Sequence, residues 1–87
     1  MTWLNYHHLL YFWTTVREGT MSAAAKKLAV SLPTVSNQVR ELEGRFGGRL
    51  FERRSNGLKL TALGKQVFEY ADEIFTLGAE LTALVDG

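Results

Sequence analysis

The chain has 87 residues, 46% of them hydrophobic and 22% charged, enough for one small core and too short for a second domain. That balance excludes low-complexity disorder, the formal charge of +1 announces no polyanionic partner, and zero cysteines exclude a disulfide scaffold and a thiolate metal site. No apolar run approaches the roughly 18 residues of a membrane span. No basic patch precedes the apolar residues after Met1-Thr2-Trp3, so the composition predicts a soluble, cytoplasmic domain with no membrane partner.

Asn5 is placed to cap a first helix, because a short side-chain acceptor serves the free N–H groups of the opening turn. Leu9, Phe12, Trp13 and Val16 then recur at three- and four-residue spacing, and Gly19 stands where the helix stops. Thr20 opens a short second helix reaching about Ala29. Its Ala23-Ala24-Ala25 run lets another helix approach closely, and Lys26 and Lys27 lie at the end that the helix dipole favours for cations. Ser31 caps a third helix, and Pro33 fits its first turn, where the lost donor costs nothing. This helix runs to about Phe46, ahead of Gly47-Gly48. A short helix, a tight turn and a longer helix spell helix-turn-helix.

At about 100° per residue, Val35, Val39, Leu42 and Phe46 gather on one side of the third helix as its buried stripe. The opposite side presents Pro33, Ser36, Asn37, Arg40 and Gly44. Small hydrogen-bonding residues at a leading helix end suit base edges in a major groove, although an ordinary solvated face remains an alternative at this point. Next, Arg49-Leu50-Phe51-Glu52-Arg53-Arg54 alternates in character, Ser55-Asn56-Gly57 is a turn signal, and Leu58-Lys59-Leu60 alternates again. Two short strands around a polar tip make a small hairpin, or wing. Arg49, Arg53, Arg54 and Lys59 concentrate cations there, as phosphate contacts or as guards of an exposed edge.

Thr61 caps the last helix. Leu63, Val67, Tyr70, Ile74, Leu77, Leu81 and Leu84 follow at alternating spacings of four and three, a heptad seam. Phe68, Ala71, Phe75, Gly78 and Val85 form a second apolar stripe roughly 100° away. One stripe can pack on the domain while the other dimerises; the alternative is that both fold back. The chain thus divides into a winged helix-turn-helix over residues 1–60 and a linker and dimerisation helix over 61–87. The fold class is mainly α, with a two-stranded wing and a long C-terminal linker helix.

Charge is sharply segregated along this plan. All ten basic residues lie in 17–65 with only four acids, a local balance of +6, whereas 66–87 holds five acids and no base. The asymmetry fits a cationic face for a polyanion and a tail with another task, or simply an uneven solvated surface. Catalytic groups are lacking. His7 and His8 are adjacent and point about 100° apart on a helix, unable to chelate one ion together in the usual geometry. Glu41 and Glu43 diverge, and no Gly-rich phosphate loop follows a strand. The expectation is a non-enzyme without cofactor or metal that binds double-stranded DNA as a homodimer. The rival is a winged-helix protein-interaction module, which would show an acidic or apolar outward face on the third helix.

Several ordered stretches carry a resemblance: Leu9-Leu10-Tyr11-Phe12, Gly19-Thr20-Met21-Ser22-Ala23-Ala24-Ala25-Lys26-Lys27-Leu28, Val30 through Val39, Leu42-Glu43, Arg49 through Arg53, and Leu60-Thr61-Ala62-Leu63-Gly64. Together they resemble the N-terminal DNA-binding region of LysR-type transcriptional regulators, over essentially the whole chain. Asn5 through Trp13 and Tyr70 through Leu77 are similar, more narrowly, to the subgroup that regulates a bacterial sodium/proton antiporter.

The resemblance implies that Ser31, Pro33, Thr34, Ser36 and Asn37 form the leading end of a recognition helix. It places Gln38 and Arg40 at the DNA backbone and makes Arg53 a phosphate contact or wing anchor. Leu32 stands where many members have a glutamine that touches DNA, so that contact is either lost or becomes an apolar one, such as with a thymine methyl. Asn56 stands where many have a minor-groove arginine, a role open to Arg54 or Lys59. The resemblance also implies a larger C-terminal domain that binds a small-molecule or ion effector, and RNA polymerase as a partner of the full-length regulator. The chain ends at Asp86-Gly87 with the last helix still in progress, as a DNA-binding fragment would.

Overall fold

Every helix start is fixed by a side chain that serves free N–H groups. Asn5 Oδ1 accepts from His7 N and His8 N at 3.0 Å, and Thr20 Oγ1 from Ala23 N at 3.0 Å. Ser31 Oγ accepts from Thr34 N at 3.3 Å, and Thr61 Oγ1 from Gly64 N at 3.0 Å. The computed structural model describes residues 3–54 and 57–87. Its elements are α1 (Tyr6–Glu18), α2 (Met21–Leu28), α3 (Leu32–Phe46), β1 (Phe51–Arg54), β2 (Gly57–Leu60) and α4 (Ala62–Asp86). No described helix is long and apolar enough to cross a membrane.

Helix α1 runs through the middle of the domain and packs on α2, α3 and α4. Leu9, Tyr11 and Phe12 are its buried hydrophobic residues, in one core with Ala24 and Ala25 of α2 and Val35, Val39 and Leu42 of α3. The alanines of α2 have no bulk, which lets the helices close on one another. Phe12 meets Phe51 with ring centroids 5.3 Å apart, tying the wing to the same core. Thr15, buried beside them, is satisfied by donating to Tyr11 O at 2.8 Å.

The turn between α2 and α3 is made by Ala29 in the left-handed conformation, with φ at 58° and ψ at 45°. Val30 N then donates back to Ala25 O at 3.0 Å, closing the helix end and aiming the chain into Ser31. An L-residue with a Cβ is uncommon in this region, and Cβ crowding there costs roughly 1–2 kcal/mol. The turn is held by what surrounds it.

Strands β1 and β2 pair antiparallel, with Phe51 opposite Leu60, Glu52 opposite Lys59, Arg53 opposite Leu58 and Arg54 opposite Gly57. The wing is shorter than the alternation over Arg49–Arg54 suggests. Leu50 N goes to the Glu43 carboxylate at 2.7 Å and Arg49 O is taken by the Thr61 hydroxyl at 2.6 Å, so neither residue enters the ladder. Asn56, at the expected tip, lies outside the described residues.

Two further expectations need correction. Phe46 does not complete the buried stripe of α3. It is 39% exposed, because Gly47 turns the chain left-handed immediately after it and no element covers it. Nor do the two stripes of α4 divide cleanly. Ala71 is buried, and Leu63, Val67 and Ile74 of the heptad seam pack on the core together with Phe68 and Phe75. Tyr70, Leu77, Leu81, Leu84 and Val85 are left between 61% and 78% exposed. Burial is decided by where the helix leaves the domain, not by which stripe a residue belongs to.

Helix α4 leaves at Gly64. A Cβ there would collide with the Leu50 carbonyl and stand 3.0 Å from Leu60 Cδ2, so only glycine lets the helix start this close to the wing root. Gly64→Ala is therefore expected to destabilise the domain by roughly 1–3 kcal/mol through overpacking, read as a lower midpoint in chemical denaturation. Ala29→Gly should act in the opposite direction, adding about 0.5–1 kcal/mol by removing the left-handed penalty. A lower midpoint for Ala29→Gly would mean that the Ala29 methyl contributes more than its backbone costs.

Candidate nucleic-acid interface

The third helix presents its polar side as expected, and the wing brings a second set of groups to it. Ser31, Leu32, Pro33, Asn37 and Arg40 are exposed, while Thr34, Ser36 and Gln38 are half-buried. Ser31 Oγ and Thr34 Oγ1 lie 2.8 Å apart, a hydroxyl pair fixed at the N-terminus of α3. Because that helix end carries unsatisfied N–H groups and the positive end of the dipole, it favours an anion nearby. One turn later, Arg40 donates from Nη1 to Asn37 Oδ1 at 3.3 Å, so the two side chains present themselves together.

Residue alternation places Arg53 on the same face of β1 as Phe51. Phe51 turns into the core, whereas Arg53 reaches over a cleft that it shares with Met21, Ser36, Val39, Arg40, Glu43 and Arg49. Arg53 also borders a second hollow lined by Thr20, Met21, Ser22 and Leu32, around the opening of α2. The structure thus gathers Ser36, Arg40 and Arg53 onto one concave surface between the third helix and the wing. Arg54 does not line that cleft but borders the second hollow with Arg53, and its Nη2 is 3.1 Å from Glu52 Oε2. Lys59 is exposed and lies across the ladder from Glu52. Gln38 departs most from its expected role, since its Oε1 is buried without a hydrogen-bond partner.

Two residues of this region escape the sequence pattern. Met21 lines both hollows at the start of α2, and Arg49, one of the expected wing cations, joins the first of them from just outside the strand. Glu43 is the second. Its side chain is only 15% exposed, and Oε2 accepts from Leu50 N at 2.7 Å with Arg49 Nε at 3.5 Å. Its one visible signal is the neighbouring Leu42, whose place in the buried stripe puts residue 43 at the edge of the core.

The described residues hold no cluster of three His, Cys, Asp or Glu side chains suited to a metal ion. His7 is exposed with its ring 4.9 Å from that of Tyr11, and His8 Nε2 is 3.4 Å from Asn5 Nδ2.

Comparison with known proteins follows the same surface. The family model described as "Bacterial regulatory helix-turn-helix protein, lysR family" matches residues 6–65, which hold α1 to β2 and the first turn of α4. The transcriptional activator protein NhaR of Escherichia coli (strain K12) is 42% identical over 86 residues, covering 99% of this chain and 29% of that protein. The chain therefore spans under a third of that relative's length.

Among solved structures, the complex of the BenM DBD with catB site 1 DNA aligns with a TM-score of 0.86 at 30% identity, covering 95% of this chain and 92% of that one. The CbnR DBD–DNA complex aligns with a TM-score of 0.81 at 35% identity, covering 95% of each chain. On its match to the family model and its likeness to these proteins along nearly its whole length, the chain belongs to the LysR family of bacterial regulatory helix-turn-helix proteins.

Proposed function

We propose that this chain is the DNA-binding unit of a bacterial LysR-type transcriptional regulator, reading an inverted-repeat operator in double-stranded DNA as a homodimer. The observation that carries this reading is the convergence of Ser36 and Arg40 of α3 with Arg53 of β1 on one concave surface. A protein-interaction module would need an acidic or apolar outward face on α3. Apart from Leu32, Pro33 and the flanking Glu41, the exposed side chains there are small, hydrogen-bonding or cationic.

The leading end of α3, from Ser31 to Asn37, enters the major groove, with Ser36 and Asn37 as base readers and Leu32 as an apolar contact. Arg40, Arg53, Arg54 and Lys59 serve the phosphate backbone. For Gln38 the amide nitrogen is the end left for a phosphate, since Oε1 is buried. Residues 1–60 act as the reading unit and 61–87 as the dimerisation helix, through Tyr70, Leu77, Leu81 and Leu84 in particular. Leu63, Val67 and Ile74 contribute to the seam only what packing on their own core leaves free. Leaving such side chains wet costs about 25 cal/mol per Å² of apolar surface, which a second copy would recover.

The full regulator extends this reading. Because the chain spans 29% of NhaR, a C-terminal domain holding a small-molecule or ion effector, contact with RNA polymerase and a cytoplasmic setting belong to the same proposal. The chain itself is assigned no enzymatic reaction and no cofactor.

Selection of bound sites from a random duplex library at near-physiological salt should enrich a dyad-symmetric motif with half-sites about 34–36 Å apart. Enrichment of no motif would overturn base reading by this unit. On the selected site, affinity should fall linearly on a log–log plot against salt, as expected for about 6–10 phosphate contacts per dimer. Arg53→Ala should weaken all duplexes alike and reduce that slope by about 1 per protomer. Ser36→Ala should instead lower discrimination at one base position per half-site, by about 1 kcal/mol for a lost neutral hydrogen bond. Uniform loss of affinity for both variants would remove Ser36 from base reading.

A further inference from the structure

Trp13, Arg17 and Asp72 form a cluster at the crossing of α1 and α4 that takes no part in the proposed DNA contacts. The indole Nε1 of Trp13 donates to Asp72 Oδ1 at 3.0 Å. Arg17 Nη1 lies 3.6 Å from the same carboxylate oxygen, and its guanidinium carbon is 5.1 Å from the centre of the Trp13 ring. The indole also meets Phe75, with ring centroids 5.0 Å apart. Trp13 and Asp72 come from the two segments that carry the narrower subgroup likeness, and the structure brings those segments into contact.

We infer that the Trp13–Asp72–Arg17 cluster is a positioning device that sets the angle between α4 and the reading unit, and through it the half-site spacing that a dimer accepts. The inference rests on the reading of α4 as the dimerisation helix on an inverted repeat. Its physical basis is leverage. Asp72 lies fourteen residues before the helix end at Asp86, about 21 Å at a rise of 1.5 Å per residue. A tilt of roughly 10° at Asp72 moves that end by about 4 Å, close to the 3.4 Å step of one base pair. Two copies joined through α4 would each add such a displacement. The angle at this crossing is therefore worth about a base pair of spacing per protomer.

Packing holds the angle less firmly here than it holds α3: on α4 the small Ala71 is buried, but the large Phe68 and Phe75 are only half-buried, so fewer close-packed contacts resist rotation. The indole–carboxylate hydrogen bond is directional and requires donor and acceptor to stay aligned. Arg17 and Asp72 are both substantially exposed, and an ion pair of that kind contributes little alone. Stacked on the indole, Arg17 holds the carboxylate in line with Nε1. The cluster thus supplies the angular constraint that the apolar contact lacks.

The test uses the 87-residue chain and duplexes carrying two copies of the selected half-site in inverted repeat, with the spacing varied one base pair at a time. The unaltered chain should bind best at one spacing. Trp13→Phe keeps a ring in place but removes the donor, and Asp72→Ala removes the acceptor. In both, preference for the best spacing over its neighbours should fall, by roughly ten- to a hundredfold for a hydrogen bond to a charged group. Affinity for a single half-site should stay within about twofold, because no DNA contact has changed. Asp72→Asn retains an oxygen acceptor for the indole and should keep most of the preference.

An unchanged spacing profile in Trp13→Phe and Asp72→Ala would overturn the inference. So would an equal loss on single and paired half-sites, which would assign the cluster to domain stability alone. If the unaltered chain bound paired half-sites no better than single ones, the dimer reading itself would fall, and this inference with it.

Discussion

A short run of hydrogen bonds from Glu43 to Gly64 is the constraint on which the other parts depend. The Glu43 carboxylate, carried by the third helix, accepts from Leu50 N at 2.7 Å. Leu50 O accepts from Thr61 N at 3.0 Å, the Thr61 hydroxyl donates to Arg49 O at 2.6 Å, and the same oxygen accepts from Gly64 N at 3.0 Å. Recognition helix, both roots of the wing and start of the linker helix meet within these contacts. A hydrogen bond to a charged group contributes about 1.5–3 kcal/mol, more than a neutral one, so the link through Glu43 is the stiffest of the set. Without it, Arg53 would still lie on a strand anchored by Phe51 and Leu50, but that strand would be held less firmly relative to Ser36 and Arg40.

The division of labour between helices and wing follows from this geometry. Base reading needs side chains placed to within a fraction of an ångström, and α3 obtains that from Val35, Val39 and Leu42 packed on α1. Phosphate contact tolerates more freedom, because a cation acts over several ångströms and a guanidinium can fork to more than one oxygen. Accordingly Arg53, Arg54 and Lys59 stand on a two-stranded ribbon held to the core mainly at its base, by Phe51 and by the buried Leu50.

Much of this plan was legible in the sequence because its determinants are local. Asn5, Thr20, Ser31 and Thr61 are short polar residues directly ahead of amphipathic runs, and each caps a helix in the structure. Gly19 and Gly47 supply left-handed stops for the same local reason. What escaped was set by distant parts of the chain. Glu43 looks like one more surface charge until Leu50, seven residues on, turns back to meet it. Phe46 has the right helical angle for burial but shares only an open hollow with Trp3, Leu4 and Leu42. The Gln38 side chain is amphipathic, and periodicity cannot tell which of its ends is buried. Charge gave its signal only by position: the total of +1 hides a basic segment, of which Arg40, Arg49 and Arg53 meet at the cleft, and an acidic linker helix.

The far end of α4 shows where order and assembly become one question. Residues 76–86 are all exposed, so little packing among the described residues holds them helical. A free segment of that length is a marginal helix in water, because nucleation must be covered by too few hydrogen bonds. Here nucleation is already supplied by the part of α4 that starts at Thr61 and packs through Leu63, Val67, Phe68, Ala71, Ile74 and Phe75. The end therefore propagates an existing helix, at the cost of holding Leu77, Leu81, Leu84 and Val85 in water. A second copy covering those side chains would stabilise the helix end and form the dimer in the same step. The angle at which α4 leaves the domain then matters as much as its apolar content, since it decides where the two reading units stand when the seam closes.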